Sequence, residues 1–172
     1  MEIISWNIRG IGSKKKKRVV KDFLCLENPD VVLLQETKRK SCDRRFVSRV
    51  WKVRNKQWAI LLASEALGGV VIFWDVLRFK CLEVVLRSCF ITIKLELEEE
   101  ESFWFSSVYG PSLSHFRKDF WLELQDLSGL TFPKWCVGRD FNVIRRISEK
   151  LVGSRLIPRM KDFNDLIRVS IN

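Results

Sequence analysis

The sequence predicts a mixed α/β fold, parallel at its start and antiparallel in its middle, with helices on the outer faces. Three observations carry that prediction. Patterns typical of a strand, a helix and a second strand follow one another within the first 35 residues, as in a parallel βαβ unit. Between Cys89 and Leu97, Ile91, Ile93, Leu95 and Leu97 alternate with Thr92, Lys94 and Glu96, the period of a half-buried strand. Two later stretches space their apolar residues at helical intervals.

The elements follow in order. Residues 2–6 form a short apolar run, expected as the first strand, which stops on Asn7 with Arg9 and Gly10 just beyond. Ser13 is placed to cap a helix in which Val19, Val20, Phe23, Leu24 and Leu26 recur at helical spacing. Asn28-Pro29-Asp30 breaks that helix, and Val31-Val32-Leu33-Leu34 follows as a buried second strand closing on Gln35-Glu36. From Trp58 to Trp74 the pattern reads as two strands and a turn. Glu65 and the pair Gly68-Gly69 interrupt it and argue against a membrane span. Glu98 to Glu101 make an acidic turn, and Phe103 to Tyr109 return as the second arm of a hairpin. A helix from about Ser114 carries Phe116, Phe120, Trp121, Leu124 and Leu127 on one face. Pro133 precedes a short strand, Trp135-Cys136-Val137, that ends at Gly138-Arg139-Asp140. A last amphipathic helix is expected from about Pro158 to Val169, with Met160, Phe163, Leu166 and Ile167. No repeat or linker divides the chain, so residues 1–172 are expected to form one domain.

Composition narrows the class. At 172 residues and 47% hydrophobic, with seven Trp and twelve Phe, the chain can bury a substantial core. Lys and Arg total 31 against 21 Asp and Glu, a formal charge of +10 that favours polyanions such as nucleic acid through counterion release. Cys25, Cys42, Cys81, Cys89 and Cys136 form no CxxC, and with His115 the single histidine no zinc site of ordinary spacing can be drawn. Reduced, buried thiols are the expectation. Glu2 and the immediate strand argue against a signal peptide, which leaves nucleus or cytoplasm. No obligate protein partner is evident.

Four predicted strands finish on polar groups able to meet phosphate or metal: Asn7, Glu36, Tyr109, and Asp140 with Asn142. Singly, each has an ordinary structural reading as a cap, a turn, a solvated acid or a packed ring. Jointly they suggest a site assembled from neighbouring strand ends. Glu36 and Asp140 offer the hard carboxylate oxygens that Mg²⁺ prefers, and Asn7, Asn142 and Tyr109 offer hydrogen bonds to phosphate or to an attacking water.

The segments SWNIRG, PDVVLLQET, VYGP and WCVGRDFNVIRR, in this order, resemble the endonuclease/exonuclease/phosphatase superfamily, and within it the endonuclease domain of plant non-LTR retrotransposons. The resemblance covers essentially all 172 residues. It implies a four-layer α/β sandwich, two mixed sheets face to face with helices outside, and phosphodiester hydrolysis of DNA dependent on Mg²⁺ or, in its place, Mn²⁺. It also implies roles. Asn7 matches the asparagine near the metal and the water-orienting network, Glu36 the metal-binding glutamate, and Tyr109 the phosphate-contacting tyrosine. Asp140 matches the aspartate that positions or activates the nucleophile and would also serve the metal, and Asn142 the asparagine that steadies the transition state.

Two departures qualify the resemblance. The family pattern places a small residue before the fourth-motif aspartate, where this chain has Arg139. If that position needs positive φ or close approach, a side chain there costs about 1–2 kcal/mol; Arg139 reaching phosphate is the second reading. The family also ends with a Ser-Asp-His segment that nothing after Asn142 matches, so the fold is expected to be incomplete at its C-terminus, with an unpaired sheet edge, and the chain inactive or impaired. A nucleic-acid-binding remnant and a phosphatase of small esters stand as alternatives. The run Lys14-Lys15-Lys16-Lys17-Arg18 reads as a solvated helix start, as a phosphate contact beside Arg9, or as a nuclear import signal. Lys38 and Arg39, with Lys40, Arg44 and Arg45, are expected on the same rim.

Overall fold

Two runs too apolar to show either face to water, Ile3-Ile4 and Val31 to Leu34, set the architecture. The computed structural model describes residues 1–64, 68–97, 101–110, 117–131, 134–140 and 166–170, with backbone alone at 117, 139–140 and 166–170. The two runs form β1 (Glu2–Asn7) and β2 (Val31–Gln35), parallel neighbours with Ile3 beside Val31 and Asn7 beside Gln35. The crossover is α1 (Lys14–Glu27). Ser13 caps it, its hydroxyl accepting from the Lys16 N–H at 3.1 Å, and Asn28 stops it in the left-handed conformation at φ 47°.

The remaining elements are α2 (Arg44–Val50), β3 (Lys56–Leu61), β4 (Val70–Asp75), β5 (Phe79–Leu86), β6 (Phe90–Leu97), β7 (Glu101–Tyr109), α3 (Arg117–Leu130), β8 (Trp135–Asp140) and β9 (Leu166–Ser170). They build two sheets, ordered β3-β4-β2-β1-β9 and β5-β6-β7-β8. Each is mixed: β1 and β2 are parallel in the first, β7 and β8 in the second, and the other pairs are antiparallel.

Side-chain alternation sorts the layers. Ile3, Val31, Leu33 and Ile72 point to one face of the first sheet and meet Ile91, Ile93, Leu95 and Phe105 of the second. Ile4, Trp6, Val32, Leu34 and Phe73 point to the other face, where Val20 and Leu24 of α1 and Phe46, Val47 and Val50 of α2 cover them. On the far side of the second sheet, Phe120 and Leu127 of α3 pack on Phe90 and Val108. The result is the four-layer sandwich, helix, sheet, sheet, helix, that the sequence predicts. Each fully buried Leu, Ile or Phe contributes about 1.5–3 kcal/mol.

The two ends of the sandwich differ. At one end Asp30, ahead of β2, accepts from the Glu2 N–H at 2.8 Å and pairs with Arg78 in the turn that carries β4 into β5. That turn joins the sheets where β2 and β7 begin, since Val31 lies beside Trp74 and Leu97 beside both Phe79 and Glu101. The C-terminal ends of β1, β2, β7 and β8 therefore share the opposite end.

Several expectations are corrected. Leu166–Ser170 is a strand, not the end of a helix, and it pairs antiparallel with β1, so the β1 edge is not open. Backbone pairing with a formed neighbour outweighed a spacing that fits a helix equally well. Residues 158–165 lie outside the described residues, as do 114–116 at the expected start of α3. Val19, Leu26 and Trp121, placed on buried helix faces by spacing, are exposed. α2 and β5 were not expected. Cys25 is exposed and the other four thiols are half-buried; all five are free. Among the described residues no helix is long and apolar enough to cross a membrane.

Candidate functional site

Where β1 and β2 end, the backbone leaves extended geometry abruptly. Arg9 (φ 46°), Glu36 (φ 51°) and Lys38 (φ 53°) all adopt left-handed conformations, beside Gly10 at φ 91°. Such geometry in side-chain-bearing residues costs of order 1–3 kcal/mol each and persists only where surrounding contacts impose it. Here the contacts are explicit. The Glu36 carbonyl accepts from Gly10 N at 2.5 Å, Thr37 O accepts from Ile11 N at 3.1 Å, and Gln35 O accepts from Ile8 N at 3.0 Å. From the β3–β4 loop, Gly69 O accepts from Thr37 N at 3.1 Å and Gly68 O from Lys38 N at 2.6 Å. Three loops thus converge on Glu36.

Asn7 connects the side chains. Its Nδ2 donates to Glu36 Oε1 at 3.2 Å while its Oδ1 accepts from the Arg9 N–H at 3.1 Å. Asn7 is 7% exposed, whereas Glu36 keeps partial access to solvent. Both faces of the amide are therefore used, which fixes its orientation. Gly10 answers why the first strand ends as it does: φ 91° suits glycine, and the Lys38 stem lies across it, 3.4 Å from where a Cβ would stand.

The second sheet approaches from the facing side. Gln35 Nε2 donates to Ser107 Oγ at 3.2 Å, both groups buried, tying β2 to β7. Gly138 of β8 lies directly against Ser5 and Leu33: a Cβ on it would sit 2.3 Å from Ser5 Oγ and 3.1 Å from Leu33 Cδ2. The small residue the chain needs here is thus Gly138, for contact between sheets. Arg139 is one residue on, in extended strand beside Val108, so the cost expected of it at a left-handed position does not arise.

The structure brings Asn7 and Glu36 into direct contact. Tyr109 ends β7 with its ring in the core between the sheets, and Asp140 is its backbone neighbour at the end of β8. Asn142 and His115 lie outside the described residues. Of the expected basic rim, Arg9, Lys14, Lys15 and Lys38 are exposed, and Lys16 Nζ donates to the Arg9 carbonyl at 3.3 Å, drawing the first turn of α1 against the loop after β1. Arg39 is engaged otherwise: its guanidinium stacks 4.7 Å from the Phe46 ring centre and its Nε donates to Ser41 O at 3.1 Å.

Thr37 is not among the site residues expected from sequence, and the pair Gly68-Gly69, read there as an interruption between strands, was the visible signal for close backbone approach. Among the described residues no three His, Cys, Asp or Glu side chains gather as a metal cage. Glu36 nonetheless fits a hard, hydrated cation, which needs one or two carboxylates and keeps several waters. Among the described residues no Lys or Arg pairs with it.

Solved structures share this fold. The catalytic domain of human Nocturnin matches with a TM-score of 0.64 at 15% identity, over 84% of this chain and 64% of that one. TDP2 of D. rerio, complexed with a single strand DNA product, matches with 0.61 at 18%, over 86% and 62%. An endonuclease/exonuclease/phosphatase family protein of Bacteroides thetaiotaomicron matches with 0.60 at 11%, over 83% and 63%. At these identities the similarity establishes the endonuclease/exonuclease/phosphatase-like fold. The chain spans less than two thirds of the length of each. No protein-family model matches the chain. No curated protein matches it.

Proposed function

We propose that this chain is a Mg²⁺-dependent phosphodiesterase of DNA endonuclease type, one domain over residues 1–172, derived from a plant non-LTR retrotransposon. The observation that carries the reading is the Asn7–Glu36 contact on a left-handed Glu36. A carboxylate oriented by an amide, at the end where four strands finish, is the chemistry a hydrated divalent cation needs. Glu36 would hold the cation with Asp140, and the cation would neutralise charge developing on the phosphoryl oxygens. Asn7 fixes the Glu36 carboxylate. Tyr109 would donate its hydroxyl to phosphate, Asp140 would position the attacking water, and Asn142 would donate to the phosphoryl oxygens.

A polymer substrate follows from the charge of +10 and from the exposed cations Arg9 and Lys38 in the loops after β1 and β2 and Lys14 and Lys15 at the start of α1, with Arg39 and Arg139 as further contacts. The DNA product bound by the D. rerio TDP2 structure supports DNA within that class. The second reading is a nucleic-acid-binding protein without cleavage, favoured by the exposed cations and by there being no group of three metal-ligating side chains among the described residues.

Nicking of supercoiled plasmid in Mg²⁺ tests the proposal. The expected result is Mg²⁺-dependent nicking that Glu36→Ala and Asp140→Ala abolish. Equal nicking by all three proteins overturns it, and salt-sensitive DNA binding with no metal-dependent nicking selects the second reading.

A further inference from the structure

We infer that Gly68 is a positioning residue for a divalent cation at Glu36, acting through the backbone of the β3–β4 loop. The inference rests on the reading of Glu36 as the metal carboxylate and names what holds that carboxylate in place. The Gly68 α-carbon lies over Glu36 so closely that a Cβ on it would stand 2.9 Å from Glu36 Cγ, 3.1 Å from Cα and 3.3 Å from Cβ. Contacts under 3.0 Å force something to move, and two of these three atoms belong to the side chain that presents the carboxylate. The same glycine accepts the Lys38 N–H at 2.6 Å, and Gly69 accepts the Thr37 N–H at 3.1 Å, so this strap holds the chain on the C-terminal side of the left-handed Glu36. Asn7 fixes one carboxylate oxygen from the β1 side. Between them, strap and amide leave the Glu36 side chain little freedom, which lowers the entropy lost on binding an ion.

Gly68 is the informative position because its constraint is local. Gly69 combines φ 81° with a would-be Cβ 2.9 Å from Thr37 Oγ1 and 3.0 Å from Ala63 N, so substitution there disturbs the whole loop. Gly12, in the loop before α1, has nothing within 4 Å of a built Cβ and serves as the control.

The test is Mn²⁺ binding followed by the electron paramagnetic resonance of the free ion, which needs no turnover. The wild-type chain is expected to bind Mn²⁺ and Glu36→Gln to lose that binding. Gly68→Ala is expected to bind about tenfold to a hundredfold more weakly, and Gly12→Ala as the wild type does. Unchanged affinity in Gly68→Ala, beside a clear loss in Glu36→Gln, overturns the inference and leaves the metal reading intact. A wild-type chain that binds no Mn²⁺, or Glu36→Gln that binds it normally, overturns the metal reading itself. If circular dichroism shows Gly68→Ala unfolded, hydrogen exchange of the wild type decides. The Thr37 and Lys38 amides are expected to exchange more slowly in Mg²⁺ as strap and carboxylate lock together, and unchanged rates overturn the inference.

Discussion

The Asn7 amide donates to the Glu36 carboxylate at 3.2 Å, linking the ends of two parallel strands from residues 29 apart in sequence. The bond depends on parallel pairing. Asn7 sits beside Gln35, the last residue of β2, and Glu36, the residue just past that strand, meets Asn7 from a left-handed backbone. Fold and candidate chemistry thus meet at one strained residue.

Asn7→Ala should therefore raise the Mg²⁺ concentration needed for nicking by about tenfold to a hundredfold, the usual effect of removing a group that orients a metal ligand. It also takes the acceptor from the Arg9 N–H, costing about 0.5–1.5 kcal/mol of stability. A Mg²⁺ titration beside a thermal melt separates the two effects. An unchanged Mg²⁺ requirement would remove Asn7 from the site.

Gly138→Ala should destabilise the fold by about 1–3 kcal/mol, because its Cβ would meet Ser5 Oγ at 2.3 Å in the buried contact between the sheets. Ser5→Ala removes that oxygen, so the double variant should recover part of the loss, the Ser5 Cβ at 3.0 Å and Leu33 Cδ2 at 3.1 Å remaining as close contacts. Denaturant midpoints of the four proteins complete a double-mutant cycle. Strictly additive losses would mean that the sheets do not meet through this pair.

How much of this was legible in the sequence depended on whether the signal was local. Val31 to Leu34 announced a strand buried on both faces, and Ile91 to Leu97 announced one face of a hairpin; both stand. α2 was missed because Arg44, Arg45 and Arg49 dominate its seven residues, while Phe46, Val47 and Val50 alone turn inward. Asp43, which caps it by accepting from the Phe46 N–H at 2.8 Å, was the available signal. β5 was hidden by the register shift between Cys81 and Glu83 and by the exposure of Leu82, Val84 and Leu86. The glycine requirement was expected at position 139 and falls at 138, because it comes from contact between sheets, which no local pattern records. The pairing of Asn7 with Glu36 was anticipated as shared polar strand ends, while the strap of Gly68 and Gly69 arises from contact between loops distant in sequence, which no local pattern records.

Burial also predicts thiol behaviour. It pushes the Cys42 thiol from an ordinary 9.0 up to about 11, against the opposing pull of Arg39, and raises Cys81, Cys89 and Cys136 as well. A thiol whose pKa is raised by folding favours the folded state below its unfolded value, and that contribution is lost as pH rises. Stability should thus fall between about pH 9 and about pH 11, and Cys42→Ser should flatten that fall. At pH 8 exposed Cys25 should be alkylated by iodoacetamide well before the other four, as read by peptide mass spectrometry. Equal labelling of Cys25 and Cys42 would contradict their different surroundings.

The basic rim makes the most direct prediction about substrate. Lys38 lies two residues beyond Glu36, exposed, with its stem braced across Gly10 in the loop that follows Asn7. Lys80 is as fully exposed but sits beside Phe79, at the closed end of the sandwich where Asp30 meets Arg78, and it already pairs with Glu96 at 3.6 Å. If phosphates pass the candidate site, Lys38→Gln should lower the slope of log affinity against log salt by about one counterion, and Lys80→Gln should leave it unchanged. Affinity in Lys38→Gln should fall alike for unrelated duplexes, since a phosphate contact carries no sequence information. Equal effects of the two substitutions would mean that net charge, and not the end carrying Asn7 and Glu36, attracts DNA to this protein.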